Sequence, residues 1–477
     1  MKRFSFLLLT LLVSTWIYSQ PIGLNLTTLT KANTPSLIVN DPPDPNAGVG
    51  TLQVITSSNG GLVSFNKATG ASDGILNTSL YTFLGSPLAT TVFDPRIRFD
   101  TFTNRWFVVA LDAGTNNAFM NNNVYVAVSD PDPLTPLSRW QVFQFSSNAG
   151  TLAVDFPSIG VDQNSVIIGV KVIDPNGGSD FFGPQTYRDS WVFVIDKAQL
   201  INGTLNVTTF TGLDTPFSPT QQGIFCPTGV DNYNANPPAV YVIGSKFDRT
   251  QSNGYNSNTL VLFRIPYPIT AGVITGPIEV TVPLMPPAAS VPTKSTVTAL
   301  SPTIEALDNR VYSAHLRGLL LFTANTYRTD NTGNGNAAGD RNGIRWYALN
   351  NITGTPGIFE IAPVFDNSIS NAPLSYFFPS VMSTDPGGVA IAGSVTGAND
   401  YINAWFATRS GANTNSAPTL LTASNAMYAS FRWGDLSYIG PDPVDPNSVW
   451  SILQFTYAYN TWGMQLSQLE VPVVGSA

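Results

Sequence analysis

The segment Phe93-Asp94-Pro95-Arg96-Ile97-Arg98-Phe99-Asp100 is one copy of a pattern that recurs along the chain, and the recurrence indicates the fold. Each copy starts with a polar or aromatic residue and a proline, continues as a short β-rich segment, and is followed by a turn and a second apolar strand. The other copies lie at 155–162, 225–231, 301–308, 377–385 and 434–442, and Ser437 takes the place of the proline in the last one. Repeated units with about four strands each are typical of a β-propeller.

The sequence therefore predicts an all-β fold, a single propeller of seven four-stranded blades. A segment at 50–70 lacks the proline entry but has similar strands, and counting it gives seven. If that segment completes the last blade instead, the ring has six. Because a propeller removes its free sheet edges, we expect residues 24–40, or the segment near Gly50, to pair with the last blade around 462–471.

The first 19 residues read as a secretory signal peptide, with Lys2 and Arg3, a short apolar stretch and small residues before Gln20. Residues 20–46 are predicted as an N-terminal extension and 47–477 as the propeller domain. This organisation predicts a protein that is secreted, or located in the periplasm or at the cell surface. No later segment has 18 consecutive apolar residues, so no membrane span is predicted.

The charge composition of the chain limits the kinds of partner that it can bind. Only 11% of residues are charged, the net charge is −8, and no basic patch is present, which excludes nucleic acid as a partner.

Cys226 is the single cysteine, so the chain forms no intramolecular disulfide, and we expect Cys226 to be a buried structural thiol.

The chain resembles a group of secreted bacterial β-propeller proteins of largely unknown function. The segments that carry the resemblance are 49–70, 93–112, 126–145, 155–172 and 432–450. Together they are spread over nearly the whole mature chain. The resemblance implies a propeller and export, and it implies no particular reaction.

The longest predicted loops join second to third strands, at 113–122, 174–190, 246–258, 316–343 and 396–402. In a propeller these loops share one face with the entries to the first strands. Long loops on a rigid scaffold commonly carry binding residues, so we predict that this face binds an extracellular ligand, a carbohydrate or a protein, without catalysis. The expected ligand-binding residues are Phe182, Tyr187, Arg249, Tyr255, Tyr327, Arg328 and Tyr401.

Two alternatives stay open. The first is a hydrolase or lyase acting on polysaccharide, which needs paired carboxylates. Asp155, Glu305 and Asp435 are the acids that we expect at strand entries near the axis. The second is a structural or surface-layer protein. Motifs of zinc proteases and serine hydrolases are missing, and His315, the only histidine, is expected at the end of a second strand in a structural role.

The segment 330–340 resembles a calcium loop, with oxygen-bearing side chains at alternate positions and glycine at the sixth. Asp330, Asn334 and Asp340 would be the ligands. The twelfth position holds Arg341 where a bidentate Glu is needed. We therefore predict no cofactor, with calcium as the alternative.

Overall fold

The computed structural model describes residues 22–36, 41–86, 90–114, 118–177, 186–214, 223–246, 256–297 and 302–473. They form seven blades in a ring, each with four antiparallel strands that follow one another from the axis outward. The predicted all-β propeller with seven blades is confirmed, and the six-bladed alternative is wrong.

The first four blades take up residues 46–285. Blade 1 contains Asn46–Val49, Gln53–Ser58, Gly61–Asn66 and Ser72–Thr78. Blade 2 contains Val92–Asp100, Arg105–Asp112, Asn123–Ser129 and Trp140–Ser146. Blade 3 contains Ala153–Asp155 with Gly160–Val161, Ser165–Ile173, Tyr187–Asp196 and Val207–Phe210. Blade 4 contains Ile224–Gly229, Ala239–Lys246, Ser257–Pro266 and Thr275–Met285.

The other three blades complete the ring. Blade 5 contains Val311–Arg317, Leu320–Thr329, Arg341–Asn350 and Gly357–Val364, with Asp231–Asn232 parallel to its first strand. Blade 6 contains Ser375–Ser383, Val389–Gly397, Asp400–Gly411 and Thr419–Leu420 beside Thr414–Asn415. Blade 7 contains Tyr438–Pro441, Ser448–Ala458, Thr461–Glu470 and Ile22–Thr30. Outside the blades lie the strands Val291–Pro292 and Thr303–Ile304 and the helical turns Leu80–Leu84, Lys197–Ile201 and Ile269–Ala271.

The amino-terminal strand closes the ring. Ile22–Thr30 pairs antiparallel with Thr461–Glu470, and Leu26 lies opposite Leu466. This pairing confirms the predicted contact between the 24–40 region and the last blade. Residues 22–30 are therefore the outer strand of blade 7 and not part of an extension, so the propeller begins before residue 47. The predicted signal peptide lies outside the described residues.

Apolar packing between neighbouring blades forms the core. In the described chain, one cluster of buried side chains lies at each of the seven interfaces between blades. Trp106 lies between blades 1 and 2, Trp346 between blades 5 and 6, and Trp450 and Trp462 between blades 7 and 1, all at 1% exposure or less. Central strands are apolar on both faces for this reason. No helix of the described residues is long and apolar enough to cross a membrane.

A backbone kink marks the entry to the innermost strands. The residue before the entry proline has a positive φ, between 47° and 53°, in five blades: Asp44, Asp94, Phe156, Cys226 and Phe378. The strand register shifts at this point in blades 2, 4 and 6, as at a β-bulge, which turns a side chain away from the regular alternation. Blade 1 has the same entry, Asp44-Pro45, so the prediction that its segment lacks the proline is wrong.

The residue after the entry proline connects neighbouring blades. Asn46 Oδ1 accepts a hydrogen bond from the Ile97 amide at 3.0 Å, and Ser380 Oγ accepts one from the Ile439 amide at 3.1 Å. Ser158 Oγ accepts from the Gly229 amide in the same way. These bonds satisfy backbone groups of innermost strands that would otherwise be buried without partners.

Blade 5 differs from the sequence prediction. Its innermost strand is Val311–Arg317, and the repeat copy at 301–308 precedes this strand. The predicted loop at 316–343 contains the second strand, Leu320–Thr329. His315 therefore lies on an innermost strand, where its Nε2 is 3.1 Å from the backbone nitrogen of Ser383 in blade 6. Burial holds the pKa of His315 well below its usual value, so the ring is neutral and bridges two blades.

Candidate functional site

A cavity of about 210 Å³ lies near the axis, on the face where the innermost strands begin. Its walls combine acids, cations and apolar rings from several blades. The side chains that line it include Asp41, Asp44, Asn59, Phe93, Asp94, Phe119, Asp155, Phe156, Lys171, Leu307, Arg310, Arg432 and Asp435. We refer to the space that these side chains enclose as the central cavity.

The kinked entry position brings carboxyl groups to the central cavity. Asp44, Asp94 and Phe156 occupy this position in blades 1, 2 and 3, and all three line the cavity. Blades 4 and 6 have Cys226 and Phe378 at the same place. Equivalent backbone positions therefore provide acids on one side of the axis and apolar groups on the other.

Asn59 holds the two entry acids in place. Its Nδ2 donates to Asp44 Oδ2 at 2.7 Å, and its Oδ1 accepts from the Asp94 amide at 2.8 Å. The other carboxyl oxygen of Asp44 accepts from the Asp435 amide at 2.6 Å. No hydrogen bond from the described residues reaches the Asp94 carboxyl group. This side chain is thus positioned through its backbone, while its carboxyl group faces the cavity.

Burial and neighbouring negative charge change the acidity of these groups. Burial, assisted by Asp435, raises the pKa of Asp44 to about 7. Burial, together with the charges of Asp44 and Asp155, raises the pKa of Asp94 well above its usual value. Burial also raises the pKa of Asp435, although the Arg432 charge opposes this. The raised pKa of Asp94 favours its protonated form, which is the form in which a general acid acts.

Every cation of the central cavity is paired with an acid. Lys171 Nζ lies 3.1 Å from Asp155 Oδ2, and both side chains are buried. Arg310 forms a two-point pair with Asp308, at 2.8 and 2.6 Å, and its guanidinium lies 4.1 Å from the centre of the Phe156 ring. The pairs leave the cavity without an excess of positive charge.

Arg432 extends this pairing to the rim of the cavity. One guanidinium nitrogen lies 3.2 Å from Asp435 and another lies 3.4 Å from Glu305. These two acids raise the pKa of Arg432 further above its usual value. Arg432 therefore stays charged and fixes the position of both carboxylates.

The raised pKa values predict a pH dependence of stability. The folded protein holds the Asp44 proton up to about pH 7, whereas the unfolded chain releases it near pH 3.8. The folded state therefore binds more protons between these values, and the free energy of unfolding should fall by on the order of 4 kcal/mol as the pH rises from 4 to 8. Denaturant unfolding across this range measures the fall. Asp44→Asn removes this proton and should make the fall shallower, and a free energy of unfolding that rises with pH would contradict the assignment.

Of the three acids predicted as catalytic residues, two line the central cavity and one lies at its rim. Asp155 and Asp435 line the central cavity, as expected for acids at strand entries. Glu305 lies at the rim, where it contacts Arg432, because its segment precedes the innermost strand of blade 5 and does not form it. Sequence reasoning missed Asp44 and Asp94, although both stand directly before an entry proline.

The predicted loop aromatics are mostly not at the cavity. Tyr187 and Tyr327, expected on exposed loops, are 1% and 0% exposed and lie on strands, so that expectation is wrong. Lys294 Nζ lies 4.9 Å from the centre of the Tyr401 ring, and Arg328 Nε donates to the Gly339 carbonyl. The predicted residues Phe182, Arg249 and Tyr255 lie outside the described residues.

The predicted calcium loop is held by its own hydrogen bonds. Asp330 accepts from the Thr332 hydroxyl at 2.5 Å, from Asn336 Nδ2 at 2.8 Å and from the Thr332 amide at 2.8 Å, and these bonds lower its pKa to about 2. Asp340 forms an ion pair with Arg341, and the Asn334 amide donates to the Thr332 hydroxyl at 3.3 Å. Among the described residues, no group of three or more His, Cys, Asp and Glu side chains is arranged to hold a metal ion. Calcium binding at this loop stays a prediction.

Cys226 is buried, which confirms the expected location of the single thiol. It is 2% exposed and packs with Phe156, Tyr187, Phe225 and Leu436. Burial raises its pKa to about 12, so the thiolate is not populated near neutral pH.

No protein-family model matches the chain, and no curated protein matches it in sequence. Solved structures match it at low identity. The Trypanosoma rangeli sialidase in complex with 2,3-difluorosialic acid has a TM-score of 0.38 and 12% identity, over 76% of this chain and 52% of the sialidase. The chain thus spans about half the length of that protein.

Two further solved structures are similar to this chain. The parainfluenza virus 5 hemagglutinin-neuraminidase has a TM-score of 0.41 and 10% identity over 81% of this chain and 91% of the viral protein. Zg3597, a family 117 glycoside hydrolase of Zobellia galactanivorans, has a TM-score of 0.33 and 12% identity over 70% and 90%. These likenesses concern the fold.

The prediction of ligand binding without catalysis is wrong. The solved structures similar to this chain include a sialidase, a hemagglutinin-neuraminidase and a glycoside hydrolase. The geometry agrees with this correction, since Tyr187 and Tyr327 are core residues and the central cavity presents carboxyl groups instead.

Proposed function

We propose that this protein is a carbohydrate-active hydrolase that cleaves a glycosidic bond in the central cavity. One observation carries the proposal. Asp94 places a carboxyl group with a strongly raised pKa in the same cavity as Asp155, which forms an ion pair with Lys171. A protonated acid and an ionised carboxylate are the two groups that glycoside hydrolysis needs.

The two groups have separate roles. The Asp94 carboxyl group donates its proton to the glycosidic oxygen as the bond to the anomeric carbon breaks, and the leaving sugar departs as an alcohol. The Asp155 carboxylate assists attack on the anomeric carbon, and one water molecule is consumed in the complete reaction.

The charge balance of the cavity favours an uncharged sugar. Lys171, Arg310 and Arg432 each have an acidic partner at 2.6–3.4 Å, so no cation is left to bind a carboxylate on the substrate. The volume of about 210 Å³ lies below the roughly 300–1,000 Å³ of pockets for drug-sized ligands. We therefore propose that the cavity takes one neutral sugar unit of a larger glycan.

A hydrolysis assay tests this function. The purified protein is incubated with a panel of uncharged polysaccharides and with aryl glycosides of common neutral sugars, and new reducing ends or released phenol are measured. Glu470→Gln is the matched control, because it changes an exposed acid at the end of the third strand of blade 7, and it should retain full activity. Release from no substrate of the panel would contradict the proposal.

A further inference from the structure

Three exposed aromatic side chains lie on the same face of the ring as the central cavity. Phe431, Tyr457 and Tyr459 are 50%, 51% and 61% exposed. Phe431 directly precedes Arg432, which lines the cavity, while Tyr457 and Tyr459 lie where the second and third strands of blade 7 meet. That connection is on the same face as the entries to the innermost strands. Exposed aromatic residues that share one surface with a site indicate an interaction.

Hydrogen bonds connect the segment before Arg432 to the turn between the second and third strands of blade 7. The Asn460 amide donates to the Met427 carbonyl at 2.8 Å, and Asn460 Oδ1 accepts from the Ala429 amide at 3.2 Å. The Phe431 carbonyl accepts from the Glu305 amide at 3.0 Å. The tip between the blade 7 strands is thereby fixed to the segment that leads into the cavity wall, so Tyr459 and Phe431 form part of one ordered surface.

The chemistry of this surface selects its ligand. Residues 423–431 and 455–463 contain no charged side chain. Two cations adjoin these segments, and both are paired: Arg432 with Asp435 and Lys31 with Asp41. The surface therefore offers no excess of positive charge to a nucleic acid or an acidic polymer. Aromatic rings cover the apolar face of a sugar, while the hydroxyl and amide groups nearby accept and donate hydrogen bonds to its edges.

We propose that Phe431 and Tyr459 form an aromatic platform for the sugar rings of an uncharged polysaccharide whose next unit occupies the central cavity. This inference rests on the proposed hydrolase function, because the cavity accommodates one sugar and the remaining units must lie on the surface outside it. The platform makes the protein selective for polymers over single sugars. Phe359, which is 57% exposed on the outer strand of blade 5, lies apart from the platform and provides a matched control.

Affinity electrophoresis tests the platform. The protein is run in native gels that contain starch, β-1,3-glucan, xylan, mannan or galactan, with Asp94→Asn as the background so that the gel matrix is not consumed. Phe431→Ala and Tyr459→Ala should each weaken binding to the retarding polysaccharide by about tenfold. Phe359→Ala should bind like the background protein, and all three should keep its melting temperature, because exposed side chains contribute little to stability.

The outcomes separate the platform from the hydrolase proposal. Retardation in a gel, with no release of reducing ends by the parent protein, would contradict the hydrolase and leave the platform supported. Hydrolysis by the parent, with Phe431→Ala and Tyr459→Ala retarded as strongly as the background, would overturn the platform alone. Retardation by none of the five polysaccharides would overturn it as well.

Discussion

Asp94→Asn should reduce the turnover of a natural glycan by a factor of about 10² to 10⁴, the range that a general acid contributes. The amide cannot donate the proton that the leaving sugar needs, and its shape is close to that of the acid. The loss should be much smaller for an aryl glycoside with a nitrophenol leaving group, since that group departs as an anion without protonation. Turnover on both substrate types, measured at one pH, distinguishes an acid from a nucleophile.

Stability measurements keep this result interpretable. Folding raises the pKa of Asp94, so this carboxyl group lowers the stability of the protein at high pH. The Asn variant, which has no such group, should therefore be at least as stable as the parent at pH 8. Asp155 needs a different design, because Asp155→Asn alone removes the carboxylate that is paired with the buried Lys171 charge. The double variant Asp155→Asn, Lys171→Met removes both charges and should be inactive but folded. Full activity of either variant would refute the assigned pair.

Removing the amino-terminal strand should destroy cooperative folding. A chain that begins at residue 31 lacks Ile22–Thr30, which leaves the edge of Thr461–Glu470 without backbone partners. Leu29, 4% exposed in the core between blades 7 and 1, is lost as well. The lost contacts amount to more than about 5 kcal/mol, which is comparable with the whole stability of a typical protein. Thermal unfolding and size-exclusion chromatography report the loss.

Two point variants in the same strand provide the control. Leu29→Asp places a charge in the apolar interface and should destabilise the protein by more than about 3 kcal/mol. Thr27→Asp adds the same charge on the exposed face of the strand and should change stability by less than about 1 kcal/mol. Equal melting temperatures for the truncated and the parent chain would show that the ring closes in another way.

The sequence predicts the ring because its signal is repeated. Proline at five of the seven entries, apolar second strands and recurring turns indicate the blades, and the closing strand follows from the need to cover a free edge. Blade 5 departs from the prediction because its innermost strand, which begins at Val311, has no proline directly before it, whereas the copy at 301–308 has one. The locations of Tyr187 and Tyr327 differ from the prediction because the strands that contain them extend into segments predicted as loops.

The candidate site is harder to read from the sequence. Asp155 and Asp435 could be placed at the axis because they stand at strand entries. Asp44 and Asp94 escape the regular alternation of side chains, since each lies at a kink with positive φ that turns it toward the cavity. Arg310 could not be assigned at all, because its partner Asp308 resembled the acids that end innermost strands at the opposite face.

The shared kink at the entries has a consequence for how such chains diverge. Five blades present one side chain each from the same backbone geometry, and the chemistry of that side chain is Asp, Asp, Phe, Cys or Phe. A substitution at Asp44, Asp94 or Phe156, the three of these residues that line the central cavity, changes the groups that the cavity presents to a ligand while the backbone path stays the same. Specificity in this architecture can therefore change by single mutations in individual blades, while the packing that holds the ring is inherited intact.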